Sequence, residues 1–323
     1  MHALPRRTVL AAALALPAIA RAQPAWPERP IRWIVNFPPG GAADTLSRAL
    51  GEAIGTRLGQ PIVIENRPGA GGLVGADLVA KARGDTHLVI ISSAASHGIG
   101  PVLYPNMPYD PMADFTHIAL VGTFASVLVV NPGVPAKDLG EFLGMARARP
   151  GGLAYGTGGN GTMNHLIGQL LARAAGVELT HVPYRGSAPA LADAIGGQLP
   201  AVMESLPIAL PHLRSGRLRA LGTSEATRDA ALPDVPSFTE AGFPAAQSTN
   251  WFGFSAAAGI PPEIAARWGA VIAEALADPK LRERFAGIGV VPGRMDAAGY
   301  AALIAGELAR WRGVIQAAGI RPD

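Results

Sequence analysis

Ile31-Arg32-Trp33-Ile34-Val35-Asn36-Phe37-Pro38-Pro39-Gly40-Gly41-Ala42-Ala43-Asp44 joins a short apolar run to a segment of helical periodicity, and it reads as strand, tight turn and helix start. Two prolines remove backbone donors and hold φ at about −65°, while two glycines admit conformations closed to other residues. The N–H groups that follow are then the unpaired donors of a helix N-terminus, positive without any cationic side chain. Such a turn suits an anion. A second glycine-rich turn, Gly156-Thr157-Gly158-Gly159-Asn160-Gly161-Thr162, repeats the arrangement later in the chain.

Outward from the first turn, strand-like and helix-like segments alternate. Leu46, Leu50, Ala53, Ile54 and Leu58 fall on helical spacing within a helix from about residue 43 to 58. Strands at 61–65 and 87–92 flank a helix at 71–83, a βαβαβ order that implies a parallel sheet with right-handed crossovers. After a proline-rich connection (Pro101, Pro105, Pro108, Pro111) come strands at 115–121 and 126–131. The alternation then restarts, with helices at 137–148, 163–175, 189–195 and 208–215 between strands at 153–155, 179–183, 201–204 and 218–223. The remainder, 261–276, 280–285 and 297–318, reads as helical with one short strand at 288–291. Two successive α/β units result, and both glycine-rich turns lie beyond carboxyl ends of strands, where open α/β sheets bind ligands.

Met1 to Ala22 stands apart by composition. Arg6 and Arg7 precede the apolar run Thr8 to Leu16, and Ala20-Arg21-Ala22 supplies small residues at a cleavage site, so this is a signal peptide too short to span as a membrane helix. The arginine pair before Thr8-Val9-Leu10 also resembles a twin-arginine signal, so the export route is Sec or twin-arginine. The whole chain of 323 residues carries 27 Lys+Arg against 24 Asp+Glu; without Arg6, Arg7 and Arg21 the mature chain is balanced at 24 of each. Its basicity is therefore no sign of nucleic-acid binding. No cysteine is present and 49% of residues are hydrophobic, so stability comes from a packed core and not from disulfides. The length suits two lobes better than one.

The second turn contains the spacing G-x-G-x-x-G in Gly156, Gly158 and Gly161, which raises an exported, dinucleotide-dependent oxidoreductase as the alternative function. That reading wants an acid at the end of the next strand, and the nearest candidate, Glu178, precedes the strand. No nucleophile elbow, metalloprotease helix or P-loop motif occurs, and no histidine pair has metal-ligand spacing beside a carboxylate, so no catalytic residue, cofactor or metal is expected. His165, at a helix start, is a candidate ligand donor. Asp44 supports its helix dipole or caps an amide.

Pro27-Glu28-Arg29-Pro30-Ile31 leading into the first turn, then Glu65-Asn66-Arg67-Pro68-Gly69-Ala70-Gly71-Gly72, resembles the start of the Bug (TctC-like) family of extracytoplasmic solute-binding receptors. Further matching stretches are Pro108-Tyr109-Asp110-Pro111, the second turn with His165-Leu166, Val182-Pro183-Tyr184-Arg185-Gly186, Leu232-Pro233-Asp234-Val235-Pro236-Ser237, Glu240-Ala241-Gly242 and Trp251. The resemblance covers nearly all of the mature chain in order. It implies an α/β, two-lobed type II periplasmic-binding-protein fold, each lobe a mainly parallel sheet flanked by helices, with two crossing strands as hinge near 123–128 and 246–252. Lobe 1 would comprise 23–125 and 249–323, and lobe 2 residues 126–248.

The implied function is non-enzymatic: a monomeric periplasmic receptor that captures a small carboxylate for tripartite tricarboxylate transporter membrane subunits or a sensor. The family's two carboxylate-binding turns map onto Pro39 to Asp44 in one lobe and Thr157 to Thr162 in the other, which makes Pro39, Gly40, Gly41, Ala42, Asp44, Thr157, Gly158, Gly159, Asn160 and Thr162 candidate ligand contacts. Phe37 and His165, beside those turns, are candidate contacts from their own chemistry. Ser93, Ser96 and Ser205, after neighbouring strands, are expected to contact the rest of the ligand, and Glu204 either attracts an amino or hydroxyl group or pairs with a neighbour. Backbone amides recognise carboxylate generically, so dicarboxylates, tricarboxylates, aromatic acids, amino acids and nicotinate-like acids all stay open.

Overall fold

The computed structural model describes residues 26–318; the expected signal peptide lies outside the described residues. Strand β1 (Ile31–Val35) runs through the first turn into α1 (Ala42–Leu58), whose Leu46, Leu50 and Ile54 are fully buried. Strand β2 (Ile62–Asn66), helix α2 (Leu73–Ala80) and strand β3 (Leu88–Ser93) complete the first βαβαβ unit, and β1 pairs in parallel with both β2 and β3. Helix α2 starts later than its periodicity suggests because Gly71 and Gly72 adopt φ of 63° and 98°, outside the right-handed helical region. After β3 the chain forms a π-helical turn, Ala94–Ile99, continuous with α3 (Gly100–Leu103). Gly98, Gly100 and Pro101 hide that segment in the sequence.

Strand β4 (Phe115–Phe124) passes through Ala125 into β5 (Ser126–Val130), and at that residue the chain changes sheets. There follow α4 (Leu139–Ala148), β6 (Leu153–Thr157), α5 (Met163–Ala175), β7 (Leu179–Pro183), α6 (Ser187–Ile195), β8 (Ala201–Ser205), α7 (Leu206–Arg214) and β9 (Arg219–Thr223). The chain then returns through β10 (Asn250–Ala257) to α8 (Pro262–Ala277), α9 (Pro279–Gly287), β11 (Val291–Pro292) and α10 (Ala297–Ala318).

The sheets have the orders β11-β4-β10-β3-β1-β2 and β7-β6-β8-β5-β9. The two-sheet α/β architecture is the expected one, with a refinement: each sheet is mixed. Pairing is parallel among β1, β2 and β3 and among β6, β7 and β8, where helical crossovers connect the strands. It is antiparallel where β10 inserts between β3 and β4, and where β5 inserts between β8 and β9. Those inserted strands follow the two passages between sheets, so the chain enters each sheet from the opposite end.

Aromatic packing fastens the later elements to the first sheet. Trp33 of β1 meets Phe254 of β10 edge-on at 4.8 Å between centroids, and Trp268 of α8 meets the same ring at 4.8 Å. Tyr300 of α10 reaches Ser92 with its hydroxyl at 2.6 Å, lying over Gly253, where an added Cβ would fall 2.0 Å from the tyrosine ring. Helices α8 and α10 pack on β4 accordingly.

The two passages between sheets are tied by buried serines. Ser224 accepts the Ser126 N–H at its hydroxyl (2.9 Å) and donates that hydroxyl to the Ser248 carbonyl (2.6 Å). Its backbone carbonyl accepts the Ser248 N–H at 2.7 Å and its N–H donates to the Ser126 carbonyl at 2.9 Å. Ser126, Ser224 and Ser248 are all fully buried, so no solvent can replace these bonds cheaply. Ser224→Ala is expected to cost about 2–4 kcal/mol, since it strands one donor and one acceptor. Equilibrium denaturation checks this, and a loss under about 0.5 kcal/mol would contradict the assigned network.

Candidate functional site

At the carboxyl ends of β1, β3, β6, β7 and β8 a cavity opens between the sheets, enclosing about 730 Å³ including space open to solvent. Helix starts supply most of its polar lining. Gly41 is the extended N-cap of α1 (φ −80°, ψ 173°) with no side-chain cap, and Thr45 is the first amide to reach back, so the Ala42 and Ala43 N–H groups are unpaired among the described residues. Thr162 caps α5 by accepting the His165 N–H, which leaves Met163 and Asn164 N–H groups free at the wall. Gly186, at φ 120°, starts α6 with no side-chain cap, and the Ser187 and Ala188 amides follow. Ala94 and Ala95, after Ser93, present the start of the π-helical turn. Four chain segments thus bring a helix or turn start to one volume, and the unpaired amides of α1 and α5 make an electrostatic environment that favours an anion.

The turns of the two sheets also approach each other. A Cβ on Gly186 would lie 3.0 Å from Pro38 Cγ, and one on Gly71 would lie 3.1 Å from the Asn160 carbonyl. Only glycine fits so close at these positive φ values (120° and 63°).

Of the sequence-derived candidates, Phe37, Pro39, Gly41, Ala42, Ser93, Gly158, Thr162 and Ser205 line the cavity. Gly159 and Asn160 lie on an adjoining recess, shared with Asn36 and Pro68 to Gly72. Asp44, Ser96, Thr157 and His165 are buried behind the wall, and Gly40 is exposed and outside the lining. The buried Asp44 carboxylate accepts the Gly40 N–H (3.0 Å), Arg48 Nε and Asn66 Nδ2, so it braces the first turn. Burial raises its pKa, but the Arg48, Gly40 and Asn66 bonds win and hold it below the ordinary value. Ser96 closes a capping box with Ser93 and bonds His97, with no exposure left. Thr157 accepts the Gly159 N–H (3.1 Å) and lies 2.7 Å from His181 Nε2. His165 accepts the Gly161 N–H at Nδ1 and stacks on His181 at 4.0 Å between centroids. A polar residue on a turn can face ligand or backbone, and here backbone N–H groups claim the side chains of Asp44, Ser96, Thr157 and His165.

Asn164, Arg185, Ser187, Asn250, Trp251 and Phe252 also line the cavity. Sequence reasoning named Arg185 only within a matching stretch. Arg185 is the one cation of the lining and Glu204 the one acid, among the described residues. Glu204 is 1% exposed; its Oε1 accepts the Ser205 N–H (2.7 Å) and Asn164 Nδ2 (3.3 Å). Its Oε2 is buried without a hydrogen-bond partner, and the Ser187 hydroxyl stands close enough to the carboxyl group to favour its charged form. Burial pushes this carboxyl up from its ordinary range despite those contacts. Asn164 in turn accepts the Ser126 hydroxyl, and Asn250 Nδ2 donates to Ser126 Oγ at 2.7 Å, so the acid is linked to both passages between sheets.

The G-x-G-x-x-G spacing does not build a dinucleotide site. Gly156 sits inside β6 beneath Leu199 and Tyr184, and β7 leads into Tyr184-Arg185, where a ribose-binding acid would be needed. No helix of the described residues is long and apolar enough to cross a membrane.

Comparison with known proteins finds relatives over nearly the whole chain. A family described as "Tripartite tricarboxylate transporter family receptor" matches residues 46–320. Protein BugT of Bordetella pertussis is 37% identical over 297 residues, covering 92% of this chain and 91% of that protein. Among solved structures, Rpa4515 of R. palustris with adipate superposes with a TM-score of 0.89 at 33% identity, covering 92% of this chain and 100% of that one. MatC from Rhodopseudomonas palustris with bound malate has a TM-score of 0.83 at 33% identity, covering 90% and 100%.

The imidazole pair behind the second turn makes that turn sensitive to acid. Burial, then the neighbouring His165, lowers His181 from 6.5 to about 3. Between those values the unfolded chain binds more protons than the folded one, so stability is fully present above about 6.5 and lost as pH falls towards 3. The melting temperature is expected to fall steadily from pH 7 to pH 4, with a shallower slope in His181→Gln. An unchanged slope in that variant would show that His181 does not contribute.

Proposed function

This chain belongs to the tripartite tricarboxylate transporter receptor family, a family of solute-binding receptors and not of enzymes, and we propose that it captures a small carboxylate in the cavity between its sheets. The observation that carries the proposal is the convergence of unpaired helix-start amides at Ala42–Ala43 and Met163–Asn164 on a cavity with only one cation. A carboxylate there accepts several charge-assisted N–H bonds, each contributing about 1.5–3 kcal/mol.

Residues 23–125 with 249–323 form one lobe in this reading, and 126–248 the other. A ligand held by turns of both lobes stabilises their closed arrangement, and the contacts of Pro38 with Gly186 and of Gly71 with Asn160 are those that closure would make. Export to the periplasm and delivery to transporter membrane subunits or a sensor follow from the same reading. Arg185, exposed and without an ion-pair partner among the described residues, adds positive potential at the mouth and draws anions in.

Gly41 offers the test. Its extended backbone accepts any residue, and an added Cβ meets only the Pro38 carbonyl, at 3.5 Å. Gly41→Val should melt close to the wild-type temperature yet lose the thermal stabilisation that a binding carboxylate gives the wild type, when both are screened against one panel of carboxylates. Equal stabilisation in both would remove the first turn from the site. Gly159 is a poorer probe, because its φ of 137° makes any substitution strain the turn.

A further inference from the structure

Among the described side chains that line the cavity, Glu204 is the one acid and the one with a fully buried acceptor atom that lacks a hydrogen-bond partner. Its Oε1 is saturated by the Ser205 N–H and Asn164 Nδ2, which fixes the plane of the carboxyl group and leaves Oε2 as the buried atom without a full hydrogen bond. Asn164 cannot turn away to serve a ligand instead: its Nδ2 is shared between Glu204 and the Ser205 hydroxyl (3.4 Å), and its Oδ1 accepts from Ser126. The hydroxyl of Ser187, at the start of α6, stands beside the same acid.

An unpaired acceptor in a cavity walled by donors is costly when the cavity holds only an anion, because the acid oxygen then faces a like charge with no proton between them. It becomes favourable when the bound molecule brings its own donor. We propose that Glu204 is a specificity-determining residue, its Oε2 accepting a hydrogen bond from an ammonium or hydroxyl group carried by the carboxylate ligand. This rests on the carboxylate reading above and narrows it: the helix-start amides take the carboxylate, and the Glu204 corner takes the donor. A ligand of the same length lacking the donor leaves the buried acid unpaired, and sites built around a buried polar group reject such analogues strongly.

The test uses matched sets of acids on the mature chain, by calorimetry: succinate, malate and aspartate; glutarate, 2-hydroxyglutarate and glutamate; propionate, lactate and alanine. In whichever set binds, the donor-bearing members should bind at least about tenfold more tightly than the plain acid. Glu204→Gln, which keeps the shape of the side chain but can place a donor at the Oε2 position, should shrink that ratio to about threefold or less. A role confined to folding would change the melting temperature of the variant without changing the ratio. Equal affinities, a preference for the plain acid, or an undiminished ratio in Glu204→Gln would each overturn the inference while leaving the carboxylate reading standing. The wild-type ratios decide the matter even if the variant fails to fold. Failure of all nine acids to bind would take down the carboxylate reading and this inference with it.

Discussion

The first amides of a helix have no carbonyl to meet, and the placement of these unpaired donors governs the design of this molecule. An open α/β sheet with parallel strands delivers helix starts to one end only, the carboxyl ends of its strands. Two such sheets set end to end therefore bring donors from both to a shared volume: Ala42 and Ala43 from one, Met163, Asn164, Ser187 and Ala188 from the other. Capping side chains are absent from α1 and α6 where they would have neutralised this supply. Where a cap exists, at Thr162, it satisfies His165 deeper in the helix and leaves the amides at the wall free.

Much of this was legible in the sequence because it depends on local chemistry. Strand, glycine turn and helix start are encoded within about fifteen residues, and Ile31 to Leu58 and Leu153 to Ala175 fold as their patterns imply. Long-range pairing is not encoded that way. Asn250 to Ala257 is an apolar run whose place between β3 and β4 depends on residues more than a hundred positions away, and nothing in its composition marks it as antiparallel. The helical stretch after β3 was hidden by Gly98, Gly100 and Pro101, which mark a loop by propensity but here sit in a buried segment held by tertiary packing.

The site shows the same division. Backbone geometry placed Gly41, Ala42, Gly158 and Thr162 at the cavity, because a turn's amides point where the turn points. Side-chain direction was not legible for Ser96, Thr157 and His165, while Asp44, named as a ligand contact and also as a cap for an amide, accepts the Gly40 N–H. Each is a type of residue that binds either a ligand or a nearby amide, and the amide is always present while the ligand is not. Asp44 illustrates the consequence: by accepting Gly40, Arg48 and Asn66 it fixes the turn that borders the cavity. These residues shape the site from behind.

That arrangement bears on how the cavity and the passages between sheets communicate. Asn250 donates to Ser126, Ser126 to Asn164, and Asn164 to Glu204, so one chain of hydrogen bonds runs from β10 through β5 and α5 to the cavity acid on β8. Every member is buried, and its effective dielectric is low, so the bonds are short-ranged, directional and costly to break singly. A ligand that engages Glu204 pulls on a group already tied to both passages, whereas one that engages only the α1 amides touches a single sheet. The cavity acid and the two passages between sheets are therefore joined by the same few bonds, and a change at Asn164 would disturb both together.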